Sequence, residues 1–218
     1  MNETTMDNEK LAALIYGLAQ YENYNTSFLQ TVKNLSSSVS QRQFSNENDR
    51  TIFEDLLKAI QYASQQTELT VSVFKAINGQ MDSKMWGQPE NPGKLRHDFP
   101  ITVGDYVPKE TVTREDVQRE LDTVTDKSKK SGWELYARLA KLQAFDNGNK
   151  RTALVAANCF IGALQEQTNY LIIPSDYRRL RFDANLMDYY MADDWDDHLP
   201  NTEESLENFV AYALTIDS

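Results

Sequence analysis

The run from Ala153 to Leu164 reads A-L-V-A-A-N-C-F-I-G-A-L, and a helix built from it is apolar almost all round. Such a helix has no face to give to water, so it belongs at the centre of a fold with other helices packed around it. The rest of the chain supplies those neighbours. Leu11, Leu14, Ile15 and Leu18, then Phe28, Val32 and Leu35, keep the three-and-four spacing of an amphipathic helix interrupted near Asn23 to Asn25, and serines from Ser36 to Ser40 end it. Ile52, Phe53, Leu56, Leu57 and Ile60 predict a further helix, and Leu69, Val73, Phe74 and Ile77 another. Thr113 followed by Glu115 and Asp116 is a capped helix start with an acidic first turn, whose inward stripe is Val117, Leu121 and Val124 and whose end is set at Lys127 to Lys130. Trp133, Leu135, Tyr136, Leu139 and Leu142 carry a helix on to Phe145. Tyr177, Leu180, Met187 and Tyr190, then Leu206, Phe209, Val210, Ala213 and Leu214, make two more, with breaks at Pro174 and Pro200.

Two stretches depart from this pattern. Between Asn78 and Pro100 the apolar periodicity collapses around Gly79, Gly87, Pro89, Pro92 and Gly93, which predicts a long loop. Ile101, Val103, Tyr106 and Val107 flank the turn signal Gly104-Asp105 and predict one short hairpin. The expected architecture is all-α, mainly helical, with a small β-hairpin. At 218 residues the chain is long enough to bury roughly 70% of its unfolded surface, so one compact unit is expected. In it, residues 1–66 form N-terminal helices packed on a core of residues 67–218.

Charge narrows the partners. A formal net charge of −11 repels nucleic acid and anionic membranes, and no run reaches the roughly 18 apolar residues of a membrane span. A cytoplasmic location is expected, with neither nucleic acid nor membrane as partner. The lone Cys159 makes no intrachain disulfide and reads as a buried small hydrophobe. His97 and His198 have no metal-ligand spacing. Asp188, Asp193, Asp194, Asp196 and Asp197 around Trp195 lack the glycine and terminal glutamate of a calcium loop and read as a solvated acidic turn.

The chemistry gathers just before the central helix, in L-Q-A-F-D-N-G-N-K-R-T-A-L from Leu142 to Leu154. Gly148 permits a left-handed backbone, and the amides of Asn149, Lys150 and Arg151 fall in a first helical turn without intrahelical acceptors. Lys150 adds a compact charge and Arg151 a planar fork suited to phosphate. Read from the residues alone, the segment serves equally as a phosphate cradle or as a helix start capped by Asp146 and Asn147 with two solvated cations. The spacing of a Walker loop is absent.

The same segment resembles the active-site loop of the Fic/Doc (Fido) family, His-x-Phe-x-Asp/Glu-Gly-Asn-Gly/Lys-Arg, and its Asn149-Lys150-Arg151-Thr152 ending resembles the Doc branch. Gly93-Lys94-Leu95-Arg96 is similar to the family's Gly-x-aromatic-Arg element, and Ile101, Val103 and Tyr106 to its target-docking flap. The resemblance implies a helical domain that binds ATP or another nucleotide with Mg²⁺ and transfers AMP or phosphate to a hydroxyl of a protein target. It implies that Phe145 anchors the loop, that Gly148 and Asn149 form the anion nest, and that Lys150 and Arg151 hold phosphates. Two positions differ chemically. Gln143 stands where the family has its histidine base, and an amide takes no proton near neutral pH. Asn147 stands where the family has its acidic metal ligand, and offers only a neutral carbonyl.

A catalytically weak or inactive nucleotide-binding relative of the AMP and phosphate transferases is the expectation, with a protein target or regulator as partner. The alternatives are an active transferase in which Asp146 or the nucleotide handles the proton, and an interaction module without nucleotide. His97 is a further candidate base. Self-restraint through Glu207-Asn208, the ending of the family's inhibitory Ser/Thr-x-x-x-Glu-Gly/Asn helix, is not expected, because Glu203 replaces the hydroxyl residue.

Overall fold

The structure is a computed structural model and describes residues 3–85, 87–193 and 201–216. Ten α-helices are found among them: α1 Glu3–Ala19, α2 Phe28–Ser36, α3 Glu47–Ser64, α4 Val71–Gly79, α5 Arg114–Leu121, α6 Lys129–Leu142, α7 Asn149–Phe160, α8 Ala163–Glu166, α9 Arg178–Met191 and α10 Thr202–Ile216. The fold is all-α. The hairpin expected at 101–107 is reduced to one antiparallel bridge between Val103 and Tyr106. Beyond it the flanks are tied by Arg96, which donates to the carbonyls of Phe99, Lys109 and Glu110, and by one bond from the Phe99 amide to the Glu110 carbonyl.

Helix α7 is the hub. Every residue from Arg151 to Cys159 is buried, and α7 packs against α3, α4, α6 and α8. Buried side chains of α1 and α3, such as Leu14, Ile15, Phe53 and Leu56, join those of α4, α6 and α7 in one apolar cluster. A second layer forms where α9 and α10 cover α6. There Trp133, Tyr136, Phe182 and Phe209 meet with ring centroids between 5.1 and 6.4 Å, the range of favourable tilted and edge contacts.

Several boundaries move from their sequence positions. The Lys127–Lys130 segment does not end α5, which stops at Leu121; Lys129 opens α6, with Ser128 as its cap. The apolar run to Leu164 is two helices, because Gly162 adopts φ 82° and breaks it. Tyr177 and Leu180, read as an inward stripe, are 85% and 80% exposed; the helix begins only at Arg178, so Phe182 and Leu186 set its buried face instead. Cys159 is buried, with its thiol on the Ala63 carbonyl. His198 and residues 194–197 of the acidic cluster lie outside the described residues. No helix among those described is long and apolar enough to cross a membrane.

Helix α1 is seated by close backbone contact. A Cβ at Gly17 would lie 2.6 Å from the Ile173 carbonyl oxygen. In an open helix Gly17→Ala would gain about 1 kcal/mol of propensity; here it should destabilise by about 1–3 kcal/mol. Urea unfolding checks this as a lowered midpoint at unchanged slope, and an unchanged or raised midpoint contradicts the seating.

Candidate functional site

Helix α6 ends because Gln143 turns left-handed, φ 48°. A non-glycine residue in that region needs support, and it has two ties. Its carbonyl accepts from Arg96 Nε at 2.6 Å, and its side-chain Nε2 donates to the Ala140 carbonyl at 2.7 Å. The turn that follows is closed by Asn149, whose Oδ1 accepts from the Phe145 amide and whose Nδ2 donates to the Phe145 carbonyl, both at 2.8 Å. Phe145 itself is buried against Phe74, 5.1 Å between ring centroids. Gly148 has φ 74°, and a Cβ there would lie 3.0 Å from Met81 and 3.3 Å from Asn78. Asn78, fully buried on α4, donates to the Asn147 carbonyl and the Thr152 hydroxyl and accepts from the Gly93 amide, so it fastens the turn to the long loop.

Helices α2 to α6 each open on a Ser, Asn or Thr whose side chain accepts an amide of the first turn. Helix α7 opens on Gly148, which has no side chain to do so. The Asn147 side chain, read as a possible cap, accepts instead from the Gly148 amide at 2.6 Å. The amides of Asn149, Lys150 and Arg151 therefore keep the unmet donors of a helix start.

The cations beside them are both engaged by protein groups. Lys150 Nζ lies 4.7 Å from the centre of the Tyr21 ring; burial lowers its pKa, while Asp183 pulls it up and Arg179 presses it further down. Arg151 is 1% exposed. Its guanidinium meets Glu22 Oε1 at 2.9 Å, Gln88 Oε1 at 2.9 Å and the Gly87 carbonyl at 2.6 Å. Burial raises the pKa of Glu22, and Arg151 offsets the rise only in part. Gly87, φ 84°, admits that carboxylate, because a Cβ there would lie 2.6 Å from Glu22 Oε2.

These groups line a cleft of about 250 Å³, with Tyr21 and Glu22 on one side, Thr102 and Val103 from the flap, and Gln143 with the turn 146–151 on the other. A wider groove of about 810 Å³ between α9 and α10 is lined by surface residues such as Asn185, Glu204 and Asn208 and shares no lining residue with the cleft. Three buried side-chain polar atoms among the described residues have no hydrogen-bond partner: Gln88 Nε2, Asp146 Oδ1 and the Tyr190 hydroxyl. All three adjoin this turn. Gln88 holds Arg151, Asp146 belongs to the turn, and Tyr190 packs on Tyr106 of the flap and lies beside the Gln143 amide, outside bonding geometry. Such atoms are rare in native proteins and mark places where a ligand, ion or water belongs.

The residues singled out in the sequence thus converge, with changes of role. Gln143 is buried and its amide points back into its own helix. Asn149 contributes an amide donor, but its side chain braces the turn. Tyr106 ties the flap down, donating to the Lys141 carbonyl at 3.1 Å, and burial pushes its hydroxyl pKa up to about 12; Ile101 is half-buried and does not reach the cleft. His97 is 77% exposed against Asp98 and lines none of it. The carboxylate that meets the motif arginine comes from Glu22, followed by Asn23, and not from Glu207, which is exposed on α10. Glu22-Asn23 carries the ending sought at 207–208, with Leu18 at the hydroxyl position. Glu22, Gln88 and Asn78 were not anticipated; the Glu-Asn pair was the one legible signal.

A resident metal does not fit. Asn147 Oδ1 is engaged on the Gly148 amide, and no group of three or more His, Cys, Asp or Glu residues is gathered to hold an ion among the described residues. A hard cation could enter only as the companion of a bound phosphate.

No family model and no curated protein matches the sequence. Among solved structures, the crystal structure of a Fic domain containing signaling protein from Bacteroides thetaiotaomicron VPI-5482 is similar, with a TM-score of 0.64 at 14% identity over 100% of this chain and 87% of that one. This chain has a Fic fold. At that identity the likeness is one of architecture, and the chemistry of this Fic-fold protein rests on its own residues.

Asn149→Ala removes both ties to Phe145 and should cost about 1–3 kcal/mol. Denaturant unfolding measures the loss, and amide exchange at Phe145 should accelerate with it. A variant as stable as the parent would contradict the bracing role.

Proposed function

We infer that this chain is a nucleotide-binding protein on a Fic fold, similar to the enzymes that move AMP or phosphate onto protein hydroxyls, and that histidine-driven transfer is closed to it. ATP or another nucleotide is the ligand, Mg²⁺ arrives with its phosphates, and a protein target or regulator is the partner. The observation that carries this reading is the uncapped start of α7, where the residues of three free amides and Lys150 line a cleft. Anions bind at such helix starts because the donors and the helix dipole act together. Gln143 supports the negative half of the reading: an amide cannot serve as base, and a placed base usually contributes about 10² to 10⁴ in rate.

Residues 1–66 act as the cover of this site. Glu22 occupies the guanidinium that a phosphate would need, so a nucleotide must displace it. The rise in the Glu22 pKa means that burying the carboxylate costs more than Arg151 returns, which makes the contact releasable. Glu22→Gly should therefore tighten binding of Mg-ATP by about tenfold, or about 1.4 kcal/mol. Arg151→Ala in that background should abolish it. Isothermal titration reads both, with circular dichroism to check that each variant is folded. If neither the parent nor folded Glu22→Gly binds ATP, GTP or their diphosphates, the nucleotide reading fails.

A further inference from the structure

Helix α1 runs on into a single 3-10 turn, Gln20–Glu22. Two neighbouring side chains of that turn meet the two cations that open α7: Glu22 meets Arg151, and the Tyr21 ring meets Lys150. The two contacts differ in what they leave available. A carboxylate and a phosphate are both anions and compete for one guanidinium. A ring face attracts an ammonium through its quadrupole and occupies at most one of its three N–H donors. Among the described residues Lys150 has no hydrogen bond and no ion pair. Its donors therefore stay open beside the cleft that Lys150 and Tyr21 both line.

The ring is fixed in turn by α6 and α9. Its hydroxyl donates to Asp183 Oδ1 at 3.2 Å and lies 3.2 Å from the Tyr136 hydroxyl. Arg179 Cζ sits 4.1 Å from the ring centre, and its guanidinium donates to Asp183 Oδ2 at 2.7 Å and to the Gly17 carbonyl at 3.1 Å. Burial pushes the Tyr21 hydroxyl pKa up, which keeps it a donor near neutral pH. The Glu22 carboxylate can leave Arg151 by rotation about its own side-chain bonds. Moving Tyr21 would break its bond to Asp183 and strip both cations of the ring.

We propose that Tyr21 is a positioning residue of the phosphate site: its ring stays when Glu22 is displaced and holds the Lys150 ammonium beside the cleft with donors free for a phosphate. This role rests on the nucleotide reading above and adds a residue and a division of labour to it. A lysine is long and flexible, and ordering it is part of the cost of binding. A ring that already confines it removes part of that cost before the ligand arrives.

The test uses the full chain carrying Glu22→Gly and isothermal titration with Mg-ATP, with circular dichroism to check folding. Tyr21→Phe keeps the ring and should bind within about threefold of its parent, whereas Tyr21→Leu, which keeps bulk without a π face, should bind about tenfold more weakly. Lys150→Ala should also weaken binding, and adding Tyr21→Leu to it should cost nothing more, because the two side chains act as one unit. If Tyr21→Leu does not fold, a fluorinated phenylalanine at position 21 keeps the shape while weakening the negative face, and the same comparison is made with it. Affinity unchanged on loss of the ring overturns the role, as does a loss that persists in the Lys150→Ala background, which would mark Tyr21 as a general support of the fold. Tighter binding in Tyr21→Leu also overturns it, since the ring would then compete with the ligand as Glu22 does. Each of these outcomes leaves the nucleotide reading standing. Absence of nucleotide binding in every folded variant overturns both together.

Discussion

The start of α7 is organised around a guanidinium with no access to water. A buried arginine must find acceptors for its donors or the fold bears the full cost of its charge. Arg151 finds them on three separate segments: Glu22 from the turn after α1, and the Gly87 carbonyl and Gln88 side chain from the long loop. One side chain thus ties the N-terminal helices and a segment without regular structure to the central helix. The cleft exists because these pieces stop at Arg151 and do not close over the amides beside it.

A second buried cation organises the opposite wall. Arg96 is 3% exposed, and its guanidinium is shared among the carbonyls of Gln143, Phe99, Lys109 and Glu110. It braces the left-handed turn at Gln143 and both ends of the flap at once. Each arginine takes acceptors from irregular backbone, which is how a chain with no helix between α4 and α5 among the described residues still presents a defined cleft. The two differ in one respect that bears on function. Every partner of Arg96 is a backbone carbonyl, whereas Arg151 depends on a carboxylate that can leave.

The helices were legible in the sequence because apolar periodicity and caps are local. Leu14, Ile15, Phe53, Leu56, Phe74 and Leu139 keep their predicted inward positions, and Thr113 forms its capping box with Asp116. The missed details have local causes too. Gly162 breaks the central run by its left-handed backbone, and Tyr177 and Leu180 kept helical spacing while the buried face formed one register along. The hairpin signal at Gly104-Asp105 was real as a turn, but only the Val103–Tyr106 pair forms a bridge around it.

The sequence by itself determined that a glycine-led helix start with a lysine and an arginine opens a helix that is apolar almost all round, and that no histidine stands in that segment. Those facts depend on residue type and spacing within thirteen residues. Only the tertiary structure decided which donors stay free, that Arg151 is held by Glu22 about 130 positions upstream, and that Asp146 keeps an unpartnered oxygen. Hydrogen bonds and burial are properties of neighbours in space, and a pairing between distant segments leaves no periodic mark in either of them.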